Sequence, residues 1–230
     1  MAASNKIKPH QTSLLIAGFA TLAGFLIPLV RQVLLPVIYL NTHLHELSHA
    51  LMAVATGARV EEILVHANGS GETPVAGGYI LPIASAGYLG ASVFGAAMIF
   101  FGRAEKSARA TLITLACLLT FSMIAWVRGD GVGIASGFGW IAALAGMAFF
   151  LRGLPLVFCC QFLGLQQCLN SFQSLFVLVR ISADTDMHSD AKILQTATLI
   201  PSVVWALGWS AFSLFLVYIA LSKSWQPAKR

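Results

Sequence analysis

Long apolar runs, each able to cross a bilayer, constrain this chain more than any other feature. A hydrocarbon core of about 30 Å takes roughly 20 apolar residues as helix. Seven runs approach or exceed that length: residues 12–30, 33–56, 79–101, 108–127, 132–151, 155–179 and 192–221. Only Arg31 and Gln32 separate the first two, which requires a tight turn or a re-entrant segment, so six and seven spans both stay open. Composition agrees. Of the 230 residues, 57% are hydrophobic and only 10% charged, against about 25% charged in an ordinary soluble domain. The expected fold is an all-α polytopic membrane protein of six or seven transmembrane helices, forming a single membrane-embedded domain over residues 1–230. The apolar start of the chain is longer than the 7–15-residue core of a cleavable signal, so an uncleaved first span is expected. The fourteen Lys and Arg give a net charge of +5, but they are scattered singly rather than gathered into a stripe, so no nucleic-acid partner is expected.

Two polar regions break the pattern. Residues 57–78 alternate short β-favouring runs (Val60, Ile63, Val65; Thr73, Val75) around Asn68-Gly69-Ser70-Gly71. That reads as a short β-hairpin directly after the second apolar run. Residues 182–190 hold Asp184, Asp186, His188 and Asp190, three of the chain's four aspartates, just before the last run. Small residues at Gly87, Ala91 and Gly95, and at Gly133 and Gly137, have the spacing that lets membrane helices approach closely, and a packing role is assigned to them. Cys117, Cys159, Cys160 and Cys168 all lie in apolar runs without CxxC spacing and read as small hydrophobes.

The chemistry is concentrated in His45-Glu46-Leu47-Ser48-His49. In a helix, positions i and i+4 share a face, so both imidazoles can hold one ion. Glu46 lies about 100° round the helix, beside that face, where a general base for the attacking water belongs. Composition gives about 0.3% for one accidental HExxH in this chain. Ionisable groups inside an otherwise apolar span are costly in lipid and are functional by default. Asn41 lies one turn before His45 and is a candidate supporting partner. His43 faces the opposite side and reads as a surface or interfacial histidine.

A hydrolytic zinc site needs a third protein ligand and an open position. The candidates are His66, Asp130, Asp184, Asp186, His188 and Asp190. Runs three to six make four crossings, which returns the loop before run seven to the side where run two ends. Asp190 stands at the start of that last run and is favoured, with Asp186 and then His188 as alternatives. Asp130 qualifies by side but sits in a short turn between Gly129 and Gly131.

HELSHALMAVATGARV, the Gly-rich hairpin after it, SAGYLG at residues 85–90, and HSDA at 188–191 followed by Thr198 and Pro201 resemble the site-2 protease clan, in particular its small, minimal branch. The resemblance implies an intramembrane zinc endopeptidase that cuts in or near transmembrane segments of membrane proteins. It implies one Zn2+ per chain held by His45, His49 and Asp190, with Glu46 as the base. It also implies a cytoplasm-facing site in a plasma or inner membrane. Better-known members carry the aspartate in an Asn-Pro…Asp-Gly context, whereas Ala191 follows Asp190 here. No PDZ-like insertion is visible.

Two further features bear on substrate. An edge of the hairpin can add a strand to an unwound peptide, or the hairpin is a plain connector. Gln166, Asn170 and Gln173 form a polar stripe on the sixth run that glues helices or hydrogen-bonds substrate. The competing function is a non-hydrolytic zinc-binding membrane scaffold or transporter. It would need ionisable residues on several spans, and almost none lie outside the second and last runs. Oligomeric state is not legible.

Overall fold

The computed structural model describes residues 7–27, 34–181 and 189–225. Among them are eight helices: α1 (Pro9–Leu26), α2 (Leu35–Ala55), α3 (Ile80–Phe101), α4 (Glu105–Ala125), α5 (Gly131–Phe150), α6 (Gly153–Ile181), α7 (Asp190–Thr198) and α8 (Ser202–Trp225). Local chemistry sets several boundaries. Proline stands in the first turn of α1 and of α2, where its missing N–H has no helical partner to lose. Asp130 caps α5 by accepting from the Gly133 N–H at 2.8 Å. Ser189 caps α7 through Lys192 N–H at 3.3 Å. Four helices are long and apolar enough to cross a membrane: α3, α4, α5 and residues 202–223 of α8.

The last apolar run is not one helix. Leu199 adopts φ 62° at the end of α7, a left-handed conformation that stops a helix. Pro201 follows and cannot donate back into the turn. The expected segment 192–221 is therefore a short helix, a break, and a long helix. The turn around Arg31 and Gln32 lies outside the described residues.

Small strands fill the interval between α2 and α3: β1 (Arg59–Val60), β2 (Ile63–Val65), β3 (Gly71–Glu72) and β4 (Val75–Ala76). β2 and β3 form the inner antiparallel pair, with Leu64 opposite Glu72, and β1 and β4 close its base, with Val60 opposite Val75. The expected hairpin is present. Its parallel partner β5 (Val127–Gly129), which joins β2 with Ile63 opposite Val127, was not expected, because Val127 reads as the end of an apolar run. The sheet order is β3-β2-β5. The hairpin lies along α2: Tyr39 Oη donates to Ala67 O at 2.6 Å, and Thr42 Oγ1 to Gly69 O at 2.7 Å.

Helix directions place the site. On α3, Gly95 faces Gly164 and Cys168 of α6, and Gly102 faces Gln161, so the two run antiparallel. The C-terminal end of α6 therefore returns to the N-terminal end of α3. The buried core between the helices is aliphatic: Leu40, Leu44 and Leu47 of α2 pack with Leu112 and Leu119 of α4, Leu144 of α5 and Leu156 of α6.

Candidate metal centre

α2 carries His45, Glu46 and His49 near its middle, with Glu46 and His49 buried. Asp190, the first residue of α7, reaches them across 145 residues of chain. His45 Nε2 lies 3.0 Å from Asp190 Oδ2, His49 Nε2 lies 3.4 Å from the same oxygen, and the two Nε2 atoms are 3.1 Å apart. These three donor atoms form the one His/Asp group of this kind found among the described residues. Atoms on a tetrahedron with zinc bonds of about 2.0–2.1 Å are about 3.3 Å apart, so the spacing suits that ion.

Proton placement points the same way. His49 Nδ1 is 2.6 Å from the carbonyl of Ile83 and must donate to it, which leaves the Nε2 of a neutral ring as a bare lone pair. That lone pair converges with an Asp190 oxygen, which is also an acceptor. A cation at the centre satisfies them together. The donor set of two imidazoles and one carboxylate is one zinc accepts readily.

Gly87 makes room for this arrangement. A Cβ there would overlap His45 Nε2 and Cε1 as well as His49 Nε2, so α3 backs the two rings with a bare Cα. Gly87 thus has a place at the site beyond the packing role assigned from its spacing. Gly95 does serve close helix approach, since a Cβ there would lie 2.5 Å from Gly164 O. Tyr88 meets the His45 ring edge-on at 4.6 Å between centroids and stacks on Trp209 at 4.9 Å.

Glu46 stands beside the cluster. Its Oε2 accepts from Thr73 Oγ1 at 2.7 Å, and a Cβ on Gly71 would come within 2.6 Å of its Oε1. The hairpin therefore encloses the glutamate. The sequence marks Thr73 only as a β-favouring residue of the expected hairpin and gives it no place at the site.

Other expectations are corrected. His43 is not a surface residue: it is 1% exposed, its Nε2 lies 3.0 Å from Ser136 Oγ, and Gly137 makes space for its ring. The face opposite the metal face of α2 is covered by α5 rather than by lipid. Asn41 does not support His45; its Oδ1 accepts from Gln167 Nε2 at 2.5 Å and ties α2 to α6. Gln166 donates to Thr21 Oγ1 at 3.1 Å, linking α6 to α1, so it acts as helix glue. The side chains of Asn170 and Gln173 lie outside the described residues, as do Asp184, Asp186 and His188. Asp130 is occupied as a cap and accepts a second bond from Ala67 N–H at 3.0 Å. His66 sits on the hairpin, 3.6 Å from Glu72.

Helices long enough to cross a membrane surround a His-x-x-x-His pair and a distant aspartate that could together hold a metal ion. The chain matches the Peptidase M50B-like family over residues 15–220 and belongs to it, within the site-2-protease family. It is an integral membrane protein. Searches of curated proteins and of solved structures return no match.

Proposed function

We propose that this protein is an intramembrane zinc endopeptidase that hydrolyses peptide bonds in or near transmembrane segments of membrane-protein substrates. The observation that carries the reading is the convergence of His45 Nε2, His49 Nε2 and Asp190 Oδ2 within 3.4 Å of one another, with a buried glutamate at their side. His45, His49 and Asp190 hold one zinc, and Glu46 is the general base. When bound there, zinc supplies Lewis acidity, acidifying water and polarising a carbonyl. Glu46 takes a proton from the attacking water and delivers it to the leaving nitrogen. Ile83 fixes the tautomer of His49, and Gly87 keeps the rings free to converge.

Substrate binding follows from the hairpin. β3 is an outer strand of the sheet β3-β2-β5 and carries Gly71 against Glu46. An extended peptide added along that edge would present its backbone next to the base, and main-chain hydrogen bonds would keep it unwound. In this reading α2 and α6 also cross the bilayer, giving six spans with α3, α4, α5 and α8, and α1 lies against α6. The whole chain forms one membrane-embedded unit, in a plasma or inner membrane.

The test is metal content and cleavage measured on one preparation in detergent. The wild type should hold about one zinc per chain and cut a fluorogenic transmembrane peptide. His45→Ala, His49→Ala and Asp190→Ala should each lose most of both, since removing a ligand breaks a three-residue site. Full zinc in any of the three removes that residue from the ligand set. Zinc without cleavage in the wild type would favour the non-hydrolytic scaffold or transporter.

A further inference from the structure

Thr73 occupies the two-residue link between β3 and β4. Its conformation is constrained on both sides. Pro74 follows it and biases it toward extended backbone, and the Pro74 carbonyl accepts from Glu61 N–H at 3.0 Å, anchoring the link to the opposite side of the hairpin. The β2–β3 and β1–β4 pairings fix the chain before and after. From this held position Thr73 Oγ1 donates to Glu46 Oε2 at 2.7 Å and lies 3.2 Å from the Glu46 carbonyl. Glu46 Oε1 faces the Cα of Gly71. One carboxylate oxygen is therefore engaged by the Thr73 hydroxyl, and the other packs against the bare Cα of Gly71.

We propose that Thr73 is a positioning residue for Glu46: its hydroxyl holds Oε2 and so fixes the carboxylate's orientation beside the two histidines, which makes the β-hairpin part of the base's support as well as a connector or strand donor. This rests on the peptidase reading above. A glutamate has three side-chain torsions, and at i+1 from a metal ligand none of them is restrained by metal. A charge-assisted hydrogen bond from a hydroxyl carried on paired backbone restricts that freedom. Misplacing a reacting group by about 1 Å can cost about 100-fold in rate.

Three substitutions separate the hydroxyl from the methyl group. Thr73→Val keeps the shape and loses the donor, Thr73→Ser keeps the donor and loses the methyl, and Thr73→Ala loses both. Cleavage kinetics and zinc content are measured for all three beside Glu46→Gln. Val and Ala should lower kcat by about 10–100-fold, with KM and zinc at wild-type levels, and Ser should restore most of kcat. If the Val variant does not fold, Ser against Ala still decides. Activity that follows the methyl group, with Ser and Ala impaired alike, overturns the proposal. Wild-type kcat in Ser, Val and Ala alike, with Glu46→Gln inactive, overturns the positioning role and leaves the peptidase reading standing. Full activity in Glu46→Gln overturns both.

Discussion

Two imidazoles brought within 3.1 Å of each other on adjacent turns of a helix need something to hold their lone pairs together and something that stays out of the way. The carbonyl of Ile83 does the first for His49, and the missing side chain of Gly87 does the second for both rings. Gly87 is where a minimal change should have a large effect. The methyl of Gly87→Ala would be built against atoms of His45 and His49 that cannot retreat without leaving the metal face. Zinc affinity should fall by 10-fold or more, in the range of about 10–100-fold typical when groups that orient metal ligands are disturbed, while the helix gains a better helix former. Metal titration by competition with a chelator reads this directly, and affinity within about twofold of wild type would show that α3 yields at this point. At this scale the sequence offered the candidate ligands and was uninformative about their neighbours. HExxH names its own residues because their spacing is the chemistry. Ile83, Gly87 and Thr73 act through backbone, absence or a single hydroxyl, which leave no signature in residue type.

Among the elements, the hairpin carries most of what was hidden. Its existence follows from β-favouring runs around Asn68-Gly69, but its docking along α2 and its pairing with β5 depend on contacts between distant parts of the chain. Asp130 joins these parts: it caps α5 and accepts from the hairpin backbone at Ala67. Hydrogen bonds from the Gly133 backbone, first, and from Ala67 hold its carboxyl below the usual carboxylate range. A carboxyl whose pKa is lowered on folding contributes stability that is complete above its unfolded value of about 4 and is lost as pH falls through the folded value. Asp130→Ala should therefore lower the thermal midpoint at pH 7, and the gap from wild type should close as pH drops below about 4. A gap independent of pH would mean that the residue acts without its charge. The break at Leu199 was also not anticipated. Thr198 and Pro201 were visible, but a leucine at φ 62° contradicts the preference of its residue type, and the apolar run continued through it.

For the whole molecule, the arrival of Asp190 beside the two histidines depends on how the helices return. α6 runs antiparallel to α3, and that crossing brings the chain back to the level of Gly87 before α7 begins at Asp190. The parity of crossings is readable from the apolar runs and puts Asp190 on the side where the second run ends. The close α3–α6 approach that sets the depth was readable only as small-residue spacing. Gly95→Val should test it. A Cβ at Gly95 meets the backbone of Gly164 and Cys168 as well as the Cys168 sulfur, and backbone cannot rotate aside. The cost should be about 1–3 kcal/mol, seen as a lower unfolding midpoint in detergent, with zinc affinity falling alongside because Asp190 shifts relative to His45 and His49. A stability loss with unchanged zinc affinity would separate the helix packing from the ligand geometry. The central claim is that a buried zinc site with Glu46 as its base performs hydrolysis inside the bundle. Glu46→Gln, measured for zinc content and transmembrane-peptide cleavage beside the wild type, tests it most directly. The variant should retain about one zinc per chain and lose about 100-fold or more of kcat, within the 10²–10⁴ range of general-base catalysis; cleavage within a few-fold of wild type would contradict it.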